Sequence, residues 1–403
     1  MDLSRRTFLA RAAVGGGLAA LAPGLALAAC TSGEGREGTT RRTASATGRT
    51  ATTVPADGTL TYGPLRPPDR NGLMLPDGFT SRIVAVSGEE VASTGYRWHA
   101  APDGGACFPT DDGGWIYVSN SEVPDKGGGV SMVRFDAEGN ITEARRILEG
   151  TSRNCAGGPT PWGTWLSCEE VPFGTVWECD PTGSRRARRH DAMGWFNHEA
   201  AAVDPEGRAI YLTEDVPDGL LYRFVPDDYP DLSSGILQAL VEEDGVLRWV
   251  DVPEPNPEPG RTETRHQIPR GKRFASAEGA WYADGHVLFA TKGDNRIWSY
   301  DLRTGDLTVE YDDDTNPNPV IRGVDNIVVA PTAPHAYVCE DGDNMEIGLI
   351  DEEGRAGAFL RLTGVDGSEM TGVSFSPDGR RLYFSSQRNP GVTYEVTGPF
   401  AGT

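Results

Sequence analysis

Positive charge, histidine and long apolar segments are all scarce in this sequence. Its 403 residues include 37 lysines and arginines against 59 aspartates and glutamates, a formal net charge of −22, and six histidines. A surface of this charge repels nucleic acid, so we expect no nucleic-acid partner. The histidines lack the spacing of a zincin motif, and neither a Gly-x-Ser-x-Gly nucleophile turn nor a phosphate-binding P-loop occurs. These absences argue against zinc proteases, serine hydrolases and nucleotide-binding proteins.

Cysteine is also scarce, and its number is odd once Cys30 is set apart as a signal-sequence residue. The other five are Cys107, Cys155, Cys168, Cys179 and Cys339. Exported proteins usually oxidise their thiols, and five cysteines cannot all pair within one chain. At least one of them is therefore free, bonded to another chain or held by a metal.

Residues 1–29 have the pattern of a twin-arginine signal peptide. Arg5 and Arg6 precede a weakly hydrophobic stretch over residues 12–29, which forms no transmembrane helix. The small residues before Cys30 suit cleavage and attachment of lipid to its sulfur; an ordinary cleavage site that contains a cysteine is the alternative. We predict export by the twin-arginine pathway, either as a lipoprotein on the outer face of the cell membrane or as a secreted protein. The lipid on Cys30 would be the only membrane contact.

A repeated strand, turn and strand phrase predicts the fold of residues 60–403. Residues 30–59, rich in Thr, Ser and Gly, predict a disordered tether before it. An aromatic residue marks each of six copies: Tyr117, Trp165, Tyr211, Phe289, Tyr337 and Tyr383. The steps between them are 48, 46, 78, 48 and 46 residues. Such units are typical of four-stranded blades, so we predict an all-β, single-domain, six-bladed β-propeller. A pair of β-sandwiches, the alternative, does not repeat at this period.

The one long step contains a proline-rich insertion. It falls within residues 226–272, where prolines alternate with other residues from Pro253 to Pro259. Proline removes strand hydrogen-bond donors and favours an extended polyproline conformation. We interpret this segment as a surface insertion that either covers one mouth of the channel or is an inert loop.

Five of the six predicted blades carry an ionisable residue at the start of the innermost strand. These residues are Cys155, Glu199, Glu278, Asp325 and Glu369, ten to fourteen residues before the marker aromatic. The first blade, with Asp103-Gly104-Gly105 there, is taken as the exception. Closure of the ring would gather the five groups in one cavity, where their repulsion demands cations. Carboxylates suit calcium, magnesium or ferric iron, and a thiolate favours at least one transition metal.

Two alternatives weaken this prediction. Each acid could instead satisfy the backbone of a loop, with Cys155 a small buried filler or half of a disulfide with Cys168. A second layer of acids at the other strand end is ambiguous, because acids in such places are usually solvated turn residues. It comprises Glu169-Glu170, Glu214-Asp215, Asp294 and Glu340-Asp341. His198, next to Glu199, is a candidate to orient that carboxylate.

Residues 153–170, RNCAGGPTPWGTWLSCEE, resemble the PhoX-type alkaline phosphatases. Asn197-His198-Glu199, Asp325-Asn326 and residues 369–379 extend the resemblance over about residues 70–400. It implies a twin-arginine-exported, six-bladed propeller with a cluster of ferric and calcium ions held by carboxylates and a cysteine. It also implies that Cys155 binds iron. The same resemblance implies that iron and calcium are shared by Glu199, Glu278, Asp325 and Glu369, with Glu169 or Glu170.

The implied activity is hydrolysis of a small phosphorylated substrate, a phosphate monoester. We expect the protein to be a monomer. Basic side chains would stabilise the phosphate oxygens, and the candidates are Arg388, Arg153, Lys292 and Arg322. Two departures from the family pattern concern the substrate: Ser276 stands where related chains have arginine, and Arg388 where they tend to have histidine. Two alternatives stay open: a calcium-dependent lactonase or phosphotriesterase with a single calcium, and a cell-surface binding propeller without turnover.

Overall fold

The computed structural model describes residues 60–316, 319–342, 344–351 and 354–401. The predicted signal peptide, Cys30 and the tether lie outside these residues. The described residues form 27 β-strands and three short 3-10 helices, Asp191–Met193, Thr264–Gln267 and Lys292–Asp294. None of them forms a helix with the length and apolar character needed to cross a bilayer.

The strands run through the whole described chain. The first fourteen are β1 (Leu73–Met74), β2 (Thr80–Val86), β3 (Pro102–Pro109), β4 (Trp115–Ser121), β5 (Gly128–Phe135), β6 (Ile141–Thr151), β7 (Asn154–Pro159), β8 (Trp165–Glu169), β9 (Val176–Cys179), β10 (Arg188–His190), β11 (His198–Asp204), β12 (Ala209–Glu214), β13 (Gly219–Asp228) and β14 (Asp231–Glu243). The others are β15 (Val246–Asp251), β16 (Arg273–Phe274), β17 (Ala277–Ala283), β18 (His286–Thr291), β19 (Arg296–Asp301), β20 (Leu307–Asp312), β21 (Val324–Val329), β22 (Ala336–Glu340), β23 (Glu346–Ile350), β24 (Ala356–Leu362), β25 (Met370–Phe375), β26 (Arg381–Ser386) and β27 (Val392–Thr397).

Six antiparallel sheets form the blades, which confirms the predicted propeller. From the inside outwards they are β3-β4-β5-β6, β7-β8-β9-β10, β11-β12-β13-β14-β15, β17-β18-β19-β20, β21-β22-β23-β24-β1 and β25-β26-β27-β2. The sixth blade takes its outermost strand from the start of the domain, because Thr80 of β2 pairs with Thr397 of β27. The innermost strands of successive blades contact one another, and β25 contacts β3. The ring is thus closed, and the innermost strand of each sheet lies against the innermost strands of its neighbours.

The marker aromatics lie buried between the blades. Tyr117 and Tyr383, from the first and sixth blades, are fully buried and stack with their ring centroids 5.1 Å apart. Loss of such a side chain typically lowers the free energy of unfolding by about 3–5 kcal/mol. A residue type that packs neighbouring blades must recur once per blade, and this is the physical origin of the sequence period.

The long third step adds β15, the segment that follows it, and β16, which pairs with β13. The proline-rich part lies across the loop that precedes β11. The backbone N–H of Trp195 donates to Pro255 O (2.8 Å), and Thr264 Oγ1 donates to Trp195 O (2.9 Å). The insertion therefore packs on the end of the third blade at which Glu199 lies.

Candidate metal centre

A β-bulge near the start of the innermost strand positions most of the predicted ligands. In five blades the register with the second strand shifts over the same three-residue step, which begins at Pro102, Asn154, His198, Ala277 and Val324. The residues that directly follow these positions are Asp103, Cys155, Glu199, Glu278 and Asp325. A bulge leaves one residue unpaired and turns its side chain away from the regular pleat. The five groups therefore share one structural position.

This register corrects the prediction for the first blade. Asp103, 1% exposed, occupies the shared position, so the first blade is not the exception. In the sixth blade the shift lies between Thr371 and Ser374 and contains no ionisable residue. Glu369 comes instead from the residue before β25. Asp103 lies in the bulge of its strand and Glu369 lies before its strand. The distance to the marker aromatic does not show this difference, because that distance is fourteen residues for both.

Small residues beside the ring allow the innermost strands to approach closely. A Cβ atom on Gly104 would lie 2.6 Å from Ala156 Cα of the next blade, and one on Gly279 would lie 2.6 Å from Asn326 Cα. Both distances are too short for any side chain. Glycine next to Asp103 and Glu278 thus brings neighbouring blades, and with them their acids, together.

The ionisable groups form four overlapping sets, within each of which one ligand atom per residue lies within 4.8 Å of the others. The sets are Cys155–Glu170–Glu199, Glu199–Glu278–Asp325, Asp325–Asp341–Glu369 and Asp103–Glu122–Glu369. Because Glu199, Asp325 and Glu369 each belong to two sets, eight carboxylates and one thiol form one continuous group, the acidic cluster. The structure thus brings together Cys155 and the four acids of the predicted ring.

The structure also distinguishes the two members of the pair Glu169-Glu170. Glu170 belongs to the acidic cluster. Glu169 lies outside the four sets and accepts hydrogen bonds from Ser152 N (2.9 Å), Thr175 Oγ1 (2.8 Å) and Trp177 Nε1 (3.1 Å). Its carboxylate therefore holds its own blade together.

The same division holds for the pair in the fifth blade, whereas Glu214, Asp215 and Asp294 lie outside the four sets. Asp341 belongs to the acidic cluster, whereas its neighbour Glu340 accepts the backbone N–H of Arg322 (2.5 Å). Glu214 is fully buried and accepts a hydrogen bond from Tyr222 OH (2.9 Å). Asp294 is paired with Arg296 (2.8 Å) within its own blade. Sequence reasoning missed Glu122, which follows a serine and so gave no acidic pair.

Burial and mutual repulsion raise the pKa values of several acids of the cluster. Burial raises the pKa of Glu199 well above its usual value, and the charges of Glu278 and Asp325 raise it further. Burial, with neighbouring acids, raises the pKa of Asp325 to about 7 and those of Glu170 and Glu369 to about 8. A nearby cation would reverse this effect, because opposite charge favours the ionised form.

The acidic cluster fits cation binding on one further observation. Glu199 is fully buried, and both of its carboxylate oxygens lack a hydrogen-bond partner among the residues that the structure describes. An unsatisfied buried polar group is costly and rare in folded proteins. Glu199 lies between Cys155 and Glu170 on one side and Glu278 and Asp325 on the other. Carboxylates of this kind suit calcium, and the thiol suits a transition metal.

Three of the candidate basic residues border the acidic cluster. Lys292 Nζ lies 2.8 Å from Glu278 Oε1 and 3.4 Å from Asp341 Oδ2. Arg153 Nη1 lies 2.9 Å from Glu122 Oε1, and Arg388 Nη2 lies 2.5 Å from Glu369 Oε1. Both arginine side chains are 47% exposed. They therefore reach both an acid of the cluster and solvent.

The structure contradicts two of the sequence-based interpretations, one of His198 and one of the cysteines. His198 is buried and stacks on Phe196 with ring centroids 3.6 Å apart, while its Nε2 contacts Gly194 O (3.0 Å). It fixes the entry to β11 and makes no hydrogen bond to Glu199. Cys155 and Cys168 are both free thiols, so the alternative disulfide is not formed.

Comparison with known proteins shows which family and which solved structures this chain resembles. The family model for Alkaline phosphatase PhoX matches residues 127–172 and 171–286. PhoX from Pseudomonas fluorescens, solved with vanadate as a transition-state analogue, has a TM-score of 0.66 and 16% identity, covering 83% of this chain and 97% of that chain. The resemblance to the PhoX-type alkaline phosphatases is confirmed. At this identity the PhoX structure shows a shared fold.

A second propeller of different activity is also similar. The gluconolactonase XC5397 from Xanthomonas campestris has a TM-score of 0.52 and 12% identity, covering 84% of this chain and 99% of that chain. No curated protein matches the chain. The fold alone therefore does not separate a PhoX-like activity from other propeller activities.

Proposed function

We propose that this protein is a PhoX-like, metal-dependent phosphatase that hydrolyses phosphate monoesters at the acidic cluster. The single observation that carries the proposal is Glu199, whose two buried oxygens have no hydrogen-bond partner in the described part of the chain and which belongs to two sets of ionisable groups. The family match supports an alkaline phosphatase-like function. The proposal goes beyond the family match in naming the metals and the substrate.

The donor sets suggest which residues would hold which ion. Cys155, Glu170 and Glu199 would hold iron, because a thiolate ligand favours a transition metal. The all-carboxylate sets built on Asp325 would hold calcium. Bound cations supply charge neutralisation of the phosphate and polarisation of its P–O bond.

The basic residues at the rim would bind the phosphate. Arg153, Arg388 and Lys292 each pair with a carboxylate of the acidic cluster. Once that carboxylate serves a cation, the N–H donors of its basic partner become available to a second anion. A guanidinium presents its donors in a planar fork that matches two phosphate oxygens. These side chains would thus orient the monoester over the acidic cluster.

The test uses the full chain exported through its own signal. Metal content is measured first, and activity is then compared on p-nitrophenyl phosphate, its diester and an aliphatic lactone, with added calcium and after chelation. Monoester hydrolysis that depends on iron and calcium supports the proposal. Activity only on the lactone with one bound calcium, or metal binding without turnover, would replace it with one of the alternative functions.

A matched pair of variants ties the activity to the acidic cluster. Glu199→Gln removes the unpartnered carboxylate and should abolish monoester hydrolysis. Glu310→Gln makes the same change on β20, where the carboxylate accepts a hydrogen bond from Thr308 Oγ1 (3.1 Å) and lies outside the four sets. Equal loss of activity in both variants would contradict the proposed site.

A further inference from the structure

The acidic cluster has two halves that differ in how the protein itself compensates their charge. The open half consists of Cys155, Glu170, Glu199, Glu278 and Asp325, and the closed half of Asp103, Glu122 and Glu369; the ninth member, Asp341, belongs to the set that links Asp325 with Glu369. In the open half Lys292 pairs with Glu278, while the two oxygens of Glu199 have no partner. This half therefore keeps a large uncompensated demand for positive charge.

Every carboxylate of the closed half has a donor from the protein. Arg153 pairs with Glu122, and Arg388 pairs with Glu369. The side chain of Gln387 connects the other two acids, because its Nε2 donates to Asp103 Oδ2 (2.5 Å) and to Glu122 Oε2 (2.9 Å). Three carboxylates thus face two guanidinium groups and one amide.

Gln387 occupies a position at which three other blades have an acid and the fourth blade has Lys292. Its backbone N–H donates to the carbonyl of Glu369, the residue that precedes the innermost strand. The backbone N–H groups of Glu122, Glu170 and Asp341 make the same bond in the first, second and fifth blades. The amide of Gln387, 2% exposed, therefore stands where three other blades contribute a carboxylate to the acidic cluster.

We infer that Gln387 is a positioning residue that makes the closed half a weak, exchangeable cation site beside a tight site in the open half. The inference rests on the proposed metal binding. A cation at the closed half would compete with the Gln387 amide for the lone pairs of Asp103 and Glu122, and so would weaken these hydrogen bonds. The amide contributes no negative charge in return, and calcium affinity follows the number of charged ligands.

Calcium titration of the metal-depleted full chain tests this inference without reference to activity. The wild type should show a tight and a weak class of calcium sites, measured by isothermal titration or equilibrium dialysis. Gln387→Glu adds a charged ligand and removes the two donors, so it should tighten the weak class by about tenfold or more and leave the tight class unchanged. Gln387→Met, which only removes the donors, should tighten the weak class by a smaller factor and covers the case in which the added charge impairs folding.

Gln238→Glu is the matched control, because Gln238 lies on β14 and bonds Arg223 and Asp251 outside the acidic cluster. It should leave both classes unchanged. Two classes in the wild type with no change in either Gln387 variant would overturn the inference and leave the proposed function intact. A wild type that binds no calcium would overturn both.

Discussion

Glu178 and Glu199 are acids near strand ends of this propeller, the first partly buried and the second fully buried. They differ in whether the protein gives their carboxylates hydrogen-bond donors. Glu178, on β9, accepts hydrogen bonds from Trp162 Nε1 (2.8 Å), Thr164 Oγ1 (2.8 Å) and His190 Nε2 (3.0 Å). Burial alone would raise its pKa, but these donors outweigh burial and lower the pKa to about 2. Glu199 has no donor, and its pKa is raised.

The difference separates acids that serve the fold from acids that await a ligand. A carboxylate with its own donors adds to stability, because the fold satisfies its charge. Glu395 is a second example, since it pairs with Arg82, Arg381 and Tyr383. A buried carboxylate without donors lowers stability until something outside the chain satisfies it. For Glu178 and Glu199, the presence or absence of donors is therefore a better guide to function than burial.

The largest expected effect comes from removing the unsatisfied carboxylate. Glu199→Gln should lower kcat/KM for a phosphate monoester by at least about a hundredfold, because it removes a ligand shared by two sets. It should also raise the melting temperature of the cation-free protein at pH 8, since a neutral amide replaces a buried acid. Steady-state kinetics and thermal melting check the two effects. A variant with near wild-type kcat/KM would contradict the contrast between Glu199 and Glu178.

Calcium itself should stabilise the folded protein. A ligand that binds only the folded state at a hundred times its Kd adds about 2.7 kcal/mol to the free energy of unfolding. Chelated wild type should therefore unfold at a lower temperature than calcium-loaded wild type, and the gap should narrow in Glu199→Gln. An equal gap in both proteins would place the calcium elsewhere.

Two adjacent residues offer a sharper comparison. Glu170→Gln should weaken iron binding and activity by about tenfold, as the loss of one ligand. Glu169→Gln should keep activity within about twofold and lower the free energy of unfolding by about 1–3 kcal/mol, because three hydrogen-bond donors lose an ionised partner. Measurement of iron content and urea unfolding distinguish the two variants. The reverse pattern would show that Glu169, and not Glu170, faces the acidic cluster.

The smallest effect concerns Glu178 and acid. Glu178→Gln should lower the free energy of unfolding by about 1 kcal/mol at pH 7 and leave activity unchanged. The folded pKa of Glu178 lies below its unfolded value, so its stabilising effect is present above about pH 4.5. That effect is lost as the pH falls towards 2. Urea unfolding at pH 7, 4 and 3 should show the two proteins converging in acid, and a constant difference would contradict this account.

Much of the centre could be predicted from the repeat. Cys155, Glu199, Glu278 and Asp325 share one place in a recurring unit, and ring closure turns a shared place in the unit into nearness in space. Distance to the marker aromatic is fourteen residues for both Asp103 and Glu369, so it could not show that Asp103 occupies the bulge and Glu369 does not. Glu122 was missed because it follows a serine, so no paired acids marked its strand end.

The sequence by itself determined the number of blades, the identity of the aromatics between them and most of the residues at the channel, because each follows from a pattern that recurs along the chain. Only the tertiary structure decided which acid of a pair such as Glu169-Glu170 turns to the channel, and which carboxylates receive an arginine or an amide from another blade. Those outcomes depend on the strand register and on contacts between residues such as Gln387 and Asp103, 284 positions apart. No local pattern records a contact of that kind.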